Sequence, residues 1–522
     1  MPAPGADVRE YYDAIPYASF AYLQCAPEQL AAVARLHGLE APAVETARVL
    51  ELGCSSGGNL VPVAVRHPGA RVLGLDISGS HVARGQALVG RLGLDNARLA
   101  EADLTTLDPA TLGEFDYVVC HGLYSWIPPA AQEAMFAAIR RVLAPTGVAY
   151  VSFNAYPGWK TREIVRDAML LHAEGKAAGE RLAHARAMVG FLRHVAPPGS
   201  VMARVVEENI GILNRTGDDY LAHDYLEPDN HPAYFRDFVA QAGRHGLAWL
   251  AEAEPSRSEP ATYGPAVVQV LADSFGDDRV RREQYLDFAV NRGFHQTLLV
   301  RAGRERGIPA RIPRENLRAL HFAAHLPCHD GALRLDASMQ SFGPRQGVNL
   351  QSSHPAVKCA AAALDAAWPG TCSRDQLRDA VSAALPPQHA LPAATLEQAI
   401  DELLDYLLTR GLARFRLAPV ALAGRPGERP KLEAGARRQL VALAAGELFI
   451  ASAWHESVQL SPDDLALLPL LDGTRGRDDL LAAAASLPPA PARPGAPATP
   501  AAARLDRVLA DACRNGLLER AP

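Results

Sequence analysis

The run Val49-Leu-Glu-Leu-Gly-Cys-Ser-Ser-Gly-Gly-Asn59 carries the densest chemistry in the chain. An apolar strand delivers the backbone to Gly53. Small residues then let it pass close to a ligand before a helix opens near Asn59. The run is not G-x-G-x-x-G, so a dinucleotide pyrophosphate is not its natural guest. Asp76 closes the next apolar run, 25 residues after Glu51. A carboxylate there accepts hydrogen bonds from both hydroxyls of a ribose. Glu101-Ala-Asp103-Leu104 follows a further short strand and puts Asp103 within reach of an adenine amino group. Asp116 to His121 is a strand that ends beside the same crevice. The candidate binding residues of these four features are Glu51, Gly53, Cys54, Ser55, Gly57, Asn59, Asp76, Ile77, Asp103, Leu104 and His121.

Those residues need a frame. Val49–Leu52, Arg71–Asp76, Phe115–Cys120 and Gly147–Phe153 are strand candidates, and Ala130–Leu143 between the last two is amphipathic. Strand and helix in alternation predict an α/β fold, a doubly wound parallel sheet with helices on both faces. Thr161 to Pro197 reads as helical, and Arg281 to Val300 as helix then strand. His354 to Leu417 reads as three helices and a β-tail, with Gly411 as a helix stop. That outline suits a winged helix. The predicted domains are 1–160, carrying the site and an amino-terminal lid; 161–305, helical and regulatory; 314–420, winged-helix-like; and 436–522, also winged-helix-like. Residues 487–500, rich in Pro and Ala, form an insert that reads as an extended loop.

Composition bounds the rest. The 522 residues are 48% hydrophobic and 21% charged, with a net charge of −6. Several cores are affordable, and no nucleic-acid partner is expected. The seven cysteines are scattered and include no C-x-x-C pair, which fits reduced thiols and a cytoplasmic location. No signal peptide or membrane-inserted segment is expected. His321, His325, Cys328 and His329 have metal-like spacing on a helix, but Pro327 interrupts it and no second ligand pair follows. No metal is therefore expected.

The features from Glu51 to His121, in their order, resemble the class I S-adenosylmethionine-dependent methyltransferases. His121-Gly-Leu-Tyr-Ser-Trp-Ile-Pro128 and Asn154-Ala-Tyr-Pro-Gly-Trp-Lys160 resemble signatures of a bacterial subgroup that carries a methyltransferase regulatory domain. Tyr12-Asp-Ala-Ile-Pro-Tyr-Ala-Ser19, Tyr220 to Pro228, Tyr234 to Phe238, Gln284 to Phe288 and Gln296 to Leu299 fit the same subgroup. Leu471-Asp-Gly-Thr-Arg475 with Asp479-Leu-Leu481 resembles its winged-helix tail. The similarity covers nearly the whole chain, and rickettsial protein-lysine methyltransferases share the architecture. It implies a Rossmann-like sheet, S-adenosyl-L-methionine as cofactor, and a lysine of a protein substrate as acceptor. A small-molecule N- or O-methyltransferase and a non-catalytic S-adenosylmethionine sensor are the alternatives, and a homodimer is compatible. Two departures stand out. Ala155 replaces a usually hydroxylated residue at the active-site rim, and the segment at Gly293-Phe-His295 usually carries arginines.

Methyl transfer from a sulfonium is an in-line displacement, so alignment is the protein's main task. A near-attack geometry supplies about 7–11 kcal/mol. Neutralising a lysine of pKa about 10.4 at pH 7 costs about 4–5 kcal/mol. An aromatic, partly dry channel lowers that cost. Tyr124, Trp126, Tyr156 and Trp159 are the predicted channel, and Asn154 is predicted to orient the amine. Tyr12 and Tyr17 are predicted to form a lid.

Overall fold

The computed structural model describes residues 19–520 apart from 215–217, 228, 310 and 489–498. Tyr12 and Tyr17 and most of the predicted insert lie outside the described residues. The amino-terminal half begins with α1 (Pro27–Leu36) and then alternates: β1 (Arg48–Leu52), α2 (Val61–Arg66), β2 (Arg71–Asp76), α3 (Gly79–Leu92), β3 (Ala97–Glu101), β4 (Phe115–Cys120), α4 (Pro129–Val142) and β5 (Leu143–Tyr156). The four strands expected from sequence are all present. Local signals set the boundaries. Ser78 Oγ accepts the His81 N–H at 3.2 Å to cap α3, and Gly93, at φ 58°, ends it in the left-handed conformation.

Four helices follow: α5 (Gly158–His172), α6 (Ala178–Val195), α7 (Val201–Leu213) and α8 (Asp218–Leu226). Then come β6 (Ala233–Tyr234), α9 (Phe235–Arg244), β7 (Leu247–Glu252), α10 (Pro265–Phe275), α11 (Arg279–Val290) and β8 (Phe294–Arg301). The main sheet has the order β3-β2-β1-β4-β5-β8-β7, with β6 paired to the end of β5. Strands β1 to β5 are mutually parallel; β8 is antiparallel to both β5 and β7. Connections run from β1 outward to β2 and back across to β4, so a crevice opens at the carboxyl ends of β1 and β4. Central strands bury both faces. Val49, Tyr117, Val119 and Val148 enter one core, and Leu50, Val118, Cys120 and Ala149 the other.

The carboxyl-terminal half packs on this sheet. Short strands β9 (His321–Ala323), β10 (Gln340–Phe342) and β11 (Leu350–Ser352) precede α12 (Pro355–Ala367), β12 (Cys372–Ser373), α13 (Arg374–Ala384), α14 (Ala393–Thr409) and β13 (Arg414–Arg416). Strands β12, β9 and β13 form a three-stranded antiparallel sheet beside the three helices. His321 therefore sits on a strand, which corrects the helical spacing read into His321 and His325. His325 Nδ1 lies 3.0 Å from Asp365, and His329 Nε2 3.0 Å from the Gly343 carbonyl. The last unit has α15 (Ala434–Ala442), a hairpin of β14 (Phe449–Ala451) and β15 (Ser457–Gln459), α16 (Pro462–Leu467), α17 (Arg477–Ser486) and α18 (Ala501–Arg514). Among the described residues, no helix is long and apolar enough to cross a membrane.

A buried ion cluster ties α11 to β7 and β8. Arg292 Nε donates to Asp287 Oδ1 at 2.6 Å, and its terminal nitrogen lies 3.5 Å from Glu283. His295 sits between Asp287, at 2.9 Å, and Glu252, at 3.2 Å. Burial opposes a charge on His295, but the Glu252 and Asp287 carboxylates outweigh it and hold its pKa up at about 9. Glu283, Asp287 and His295 approach one another as metal ligands do. The Arg292 guanidinium already supplies the cation there. Removing one acid leaves buried positive charge uncompensated. Asp287→Ala is expected to lower unfolding free energy at pH 7 by about 3–5 kcal/mol, measured by guanidinium titration. A loss under about 1 kcal/mol would show that the cluster does not hold β8 in place.

Candidate active site

The loop after β1 is built as the sequence suggests. The N–H groups of Gly53 and Cys54 both donate to the Leu75 carbonyl, at 2.8 and 3.1 Å. This ties the loop to the end of β2. Gly53, Ser55 and Gly57 have φ of 73°, 48° and 79°. Ser55 is the costly member, because a side chain disfavours that region. Its N–H donates to Asp76 Oδ2 at 2.7 Å, and the Ser78 N–H donates to Oδ1 at 3.0 Å. Oδ1 also faces His81 Nδ1 at 3.7 Å, and Oδ2 keeps an accepting direction for a ligand. Ile77 follows it, half-buried.

Glu51 lies beneath the loop, 3% exposed. Its Oε1 accepts from Asn59 Nδ2 at 2.9 Å, and its Oε2 has no protein partner among the described residues. Burial, with Asp76 nearby, pushes its pKa up to about 8 against the Asn59 hydrogen bond. The other end of Asn59 is also engaged. Its Oδ1 accepts from the Tyr22 N–H at 3.3 Å and lies 3.0 Å from His455 Nε2. Arg66 donates to His455 Nδ1 at 2.9 Å, so Nε2 carries the proton and donates to Asn59. Burial and the Arg66 charge push the His455 pKa well down, consistent with a neutral ring. His455 adopts φ 62° at the tip of the β14–β15 hairpin. The carboxyl-terminal unit thus reaches the loop directly.

The segment Ser19 to Tyr22 straps the loop. Gly58 donates to Ser19 Oγ at 2.8 Å, and a Cβ at Gly58 would lie 2.1 Å from the Ser19 carbonyl oxygen. The Tyr22 ring lies 4.2 Å from that of His121. His121 Nδ1 is 3.1 Å from the Tyr150 hydroxyl, and burial lowers the His121 pKa to about 4, so the ring is neutral. Asp103 Oδ1 accepts from the Thr105 N–H and hydroxyl at 2.8 and 2.7 Å, the geometry of a turn cap. Leu104 packs beside it against the second core. Sequence reasoning missed Tyr22, Tyr150 and His455. No local pattern marks them, and His455 lies 396 residues from Asn59.

Beyond β4 and β5 lie the residues of the predicted acceptor channel. The Asn154 N–H donates to Ser125 Oγ at 2.8 Å, and its Nδ2 donates to Asn230 at 2.9 Å, which leaves its Oδ1 as an acceptor. The Tyr156 hydroxyl donates to Glu163 at 2.6 Å, its ring faces that of Tyr234 at 5.3 Å, and Lys160 Nζ sits 3.8 Å from its centre. Burial and Glu163 raise the Tyr156 pKa, so the hydroxyl keeps its proton. Trp159 is fully buried and packs edge-on against Trp126 at 6.1 Å. Tyr124 departs from the predicted channel. Its ring packs against Phe136, Phe153 and Phe238, and its hydroxyl donates to Gln241 at 2.6 Å, which makes it a core residue.

Family models match three stretches: a methyltransferase domain at residues 49–147, a predicted methyltransferase regulatory domain at 217–301, and a "PKMT, C-terminal winged helix domain" at 428–488. The chain belongs to the class I S-adenosylmethionine-dependent methyltransferases that carry a regulatory domain. Two uncharacterized proteins of Rickettsia prowazekii are similar. One is 38% identical over 293 residues, covering 55% of this chain and 52% of the relative. The other is 30% identical over 233 residues, covering 44% of this chain and 93% of the relative. The chain thus spans about half the length of the first. The fold matches that of PKMT2 from Rickettsia typhi in complex with AdoHcy, with TM-score 0.85 at 23% identity over 96% of this chain and all of that one.

Glu51 yields a pH prediction. It holds a proton to about pH 8 when folded, against an ordinary 4.5. The stability this lends is complete below the unfolded value and is lost as pH rises through about 8. Glu51→Gln mimics the protonated form. The variant is expected to melt above the wild type at pH 8 and close to it at pH 5, by scanning calorimetry. His455→Ala removes a donor from Asn59 and is expected to weaken S-adenosylmethionine binding about tenfold by titration calorimetry.

Proposed function

We propose that the protein transfers methyl groups from S-adenosyl-L-methionine to lysine side chains of a protein substrate. One observation carries the reading. The Glu51–Asp76 cradle and the aromatic, polar end of β5 lie at the same edge of one sheet, at its topological switch point. The residues suit the cofactor chemically. Glu51 Oε2 is a buried carboxyl oxygen with no protein partner among the described residues. Asp76 Oδ2 keeps an accepting direction for a hydroxyl, and the loop is closed to larger side chains at Gly57, where a Cβ would lie 2.9 Å from Val61. Glu51 and the Gly53–Asn59 loop would hold the methionine part, Asp76 with Ile77 the ribose, Asp103 with Leu104 the adenine, and His121 the floor beside it. When bound, S-adenosylmethionine supplies an activated methyl group.

The chain's own residues must then place a neutral amine in line. Asn154 Oδ1 accepts a hydrogen from the amine and turns its lone pair away from that oxygen. The Tyr156 hydroxyl, its proton held by Glu163, offers a second accepting oxygen. The Tyr156 ring is suited to an approaching ammonium, since Lys160 already occupies one such position. Trp159 with Trp126 fixes the turn and keeps it dry. The winged-helix family described by the letters PKMT, and the similar fold of PKMT2 from Rickettsia typhi, support a protein acceptor. The reading is compatible with a cytoplasmic location, and no nucleic-acid or membrane partner is invoked.

The test is incubation with methyl-labelled S-adenosylmethionine and a lysate of the host. Labelled protein, with methyl-lysine on hydrolysis, is expected. Label only in small molecules would move the acceptor to that class, and cofactor binding with no label would leave a sensor. Tyr156→Ala is expected to bind cofactor normally yet lose at least about tenfold in transfer. Asp76→Ala is expected to lose binding.

A further inference from the structure

A second cleft lies away from this crevice, where β7, the turn at Pro255–Pro260, the start of α11 and Arg311–Ile312 meet the end of α1 at His37. Its cavity measures about 70 Å³, which admits a few waters or one group of their combined size. Three guanidinium groups line it. Arg279 lies over the Trp249 ring at 4.7 Å, while Arg282 and Arg311 pair with no carboxylate among the described residues. The lining also holds acids, but each is engaged elsewhere. Glu252 faces His295 at 3.2 Å, Glu283 faces Arg292 at 3.5 Å, and Glu259 accepts the Ala261 N–H at 3.1 Å.

The walls carry unpartnered donors, and the carboxyl oxygens Glu252 Oε1 and Glu283 Oε1, each facing its cation, also accept no hydrogen bond among the described residues. Trp249 is 7% exposed, and its Nε1 has no protein partner among the described residues; the same holds for Arg282 Nε. A buried N–H without an acceptor costs about 1–3 kcal/mol. The indole N–H together with three guanidinium groups, that of Arg282 among them with its Nε unpartnered, matches a ligand that brings oxygens and negative charge. The first turn of α11 begins at the same spot, its Arg281 N–H already donating to the capping Asp278 carboxylate at 3.0 Å.

We propose that this cleft is a binding site for one oxyanion group, the phosphate or carboxylate of a small metabolite whose remainder projects into solvent. Arg282 and Arg311 bind the charge, and Trp249 Nε1 donates to one of its oxygens. Its inner wall is Glu252 and Glu283, the acids of the ion cluster. The Arg292 carbonyl of that cluster accepts the Gly158 N–H at 2.9 Å, next to the acceptor-side turn. An anion here therefore acts on the same scaffold that fixes Tyr156.

The test uses the full-length protein and titration calorimetry with inorganic phosphate and, separately, citrate. Saturable binding of at least one below about 10 mM is expected, weakening as sodium chloride rises. Phosphate alone would assign the site to phosphate esters, and citrate alone to carboxylates. Arg282→Gln with Arg311→Gln should lose at least tenfold in that affinity, while S-adenosylmethionine affinity and melting temperature stay within error. Arg314→Gln, outside the cleft, should change neither. Absence of binding by both probes, or binding that survives the double substitution, would overturn the proposal.

Discussion

One amide group, that of Asn59, holds the cofactor loop in register with the rest of the molecule. Its nitrogen binds the buried carboxyl of Glu51, and its oxygen receives the Tyr22 backbone and the His455 ring. An asparagine presents a donor and an acceptor on opposite corners of a rigid plane, so it can satisfy both neighbours at once. An aspartate would offer Glu51 a second carboxyl in place of the amide donor, and a leucine would leave three polar groups without their partner. The loop's unfavourable Ser55 conformation persists because Asp76 beneath and this bridge beside it over-determine the backbone.

The proposed acceptor side depends on a different anchor. Arg292 and Gly293 hand their carbonyls to Gly158 and Ala155, at 2.9 and 3.0 Å. A Cβ on Gly158 would lie 2.5 Å from the Arg292 carbonyl carbon, so only glycine admits the contact. The ion cluster around His295 locks Arg292, and Arg292 locks the turn that carries Tyr156. Electrostatics buried in the regulatory region thereby become geometry at the proposed transfer site.

Much of this was legible in the sequence because its signals are local. The alternation of β1 to β5, the small residues of 53–58 and the spacing of Asp76 each need only a short window. Where the meaning of a residue depends on distant partners, the pattern misled or was silent. The histidines at 321 and 325 have helical spacing, yet the alternation of His321-Phe-Ala323 pairs with Ser373 and Arg416 as a strand. Tyr124 has the composition of a channel residue, but three phenylalanines from β5, α4 and α9 claim its ring. Nothing near His455 distinguishes it from any hairpin histidine. Its significance lies in Arg66 and Asn59, which the fold brings to it.

The strap and the hairpin also set an order of events in synthesis. The glycine-rich loop is made before its clasp, since His455 follows Asn59 by 396 residues. At typical translation speeds of about 5–20 residues per second, that gap lasts roughly 20–80 s. During it the loop exists without the ring that fastens it, and Ser457, which receives the Ala21 N–H at 2.8 Å, has not been made. The cofactor loop is therefore completed only after the hairpin 396 residues further on has been made. A chain released early would carry the sequence of a cofactor site without its clasp.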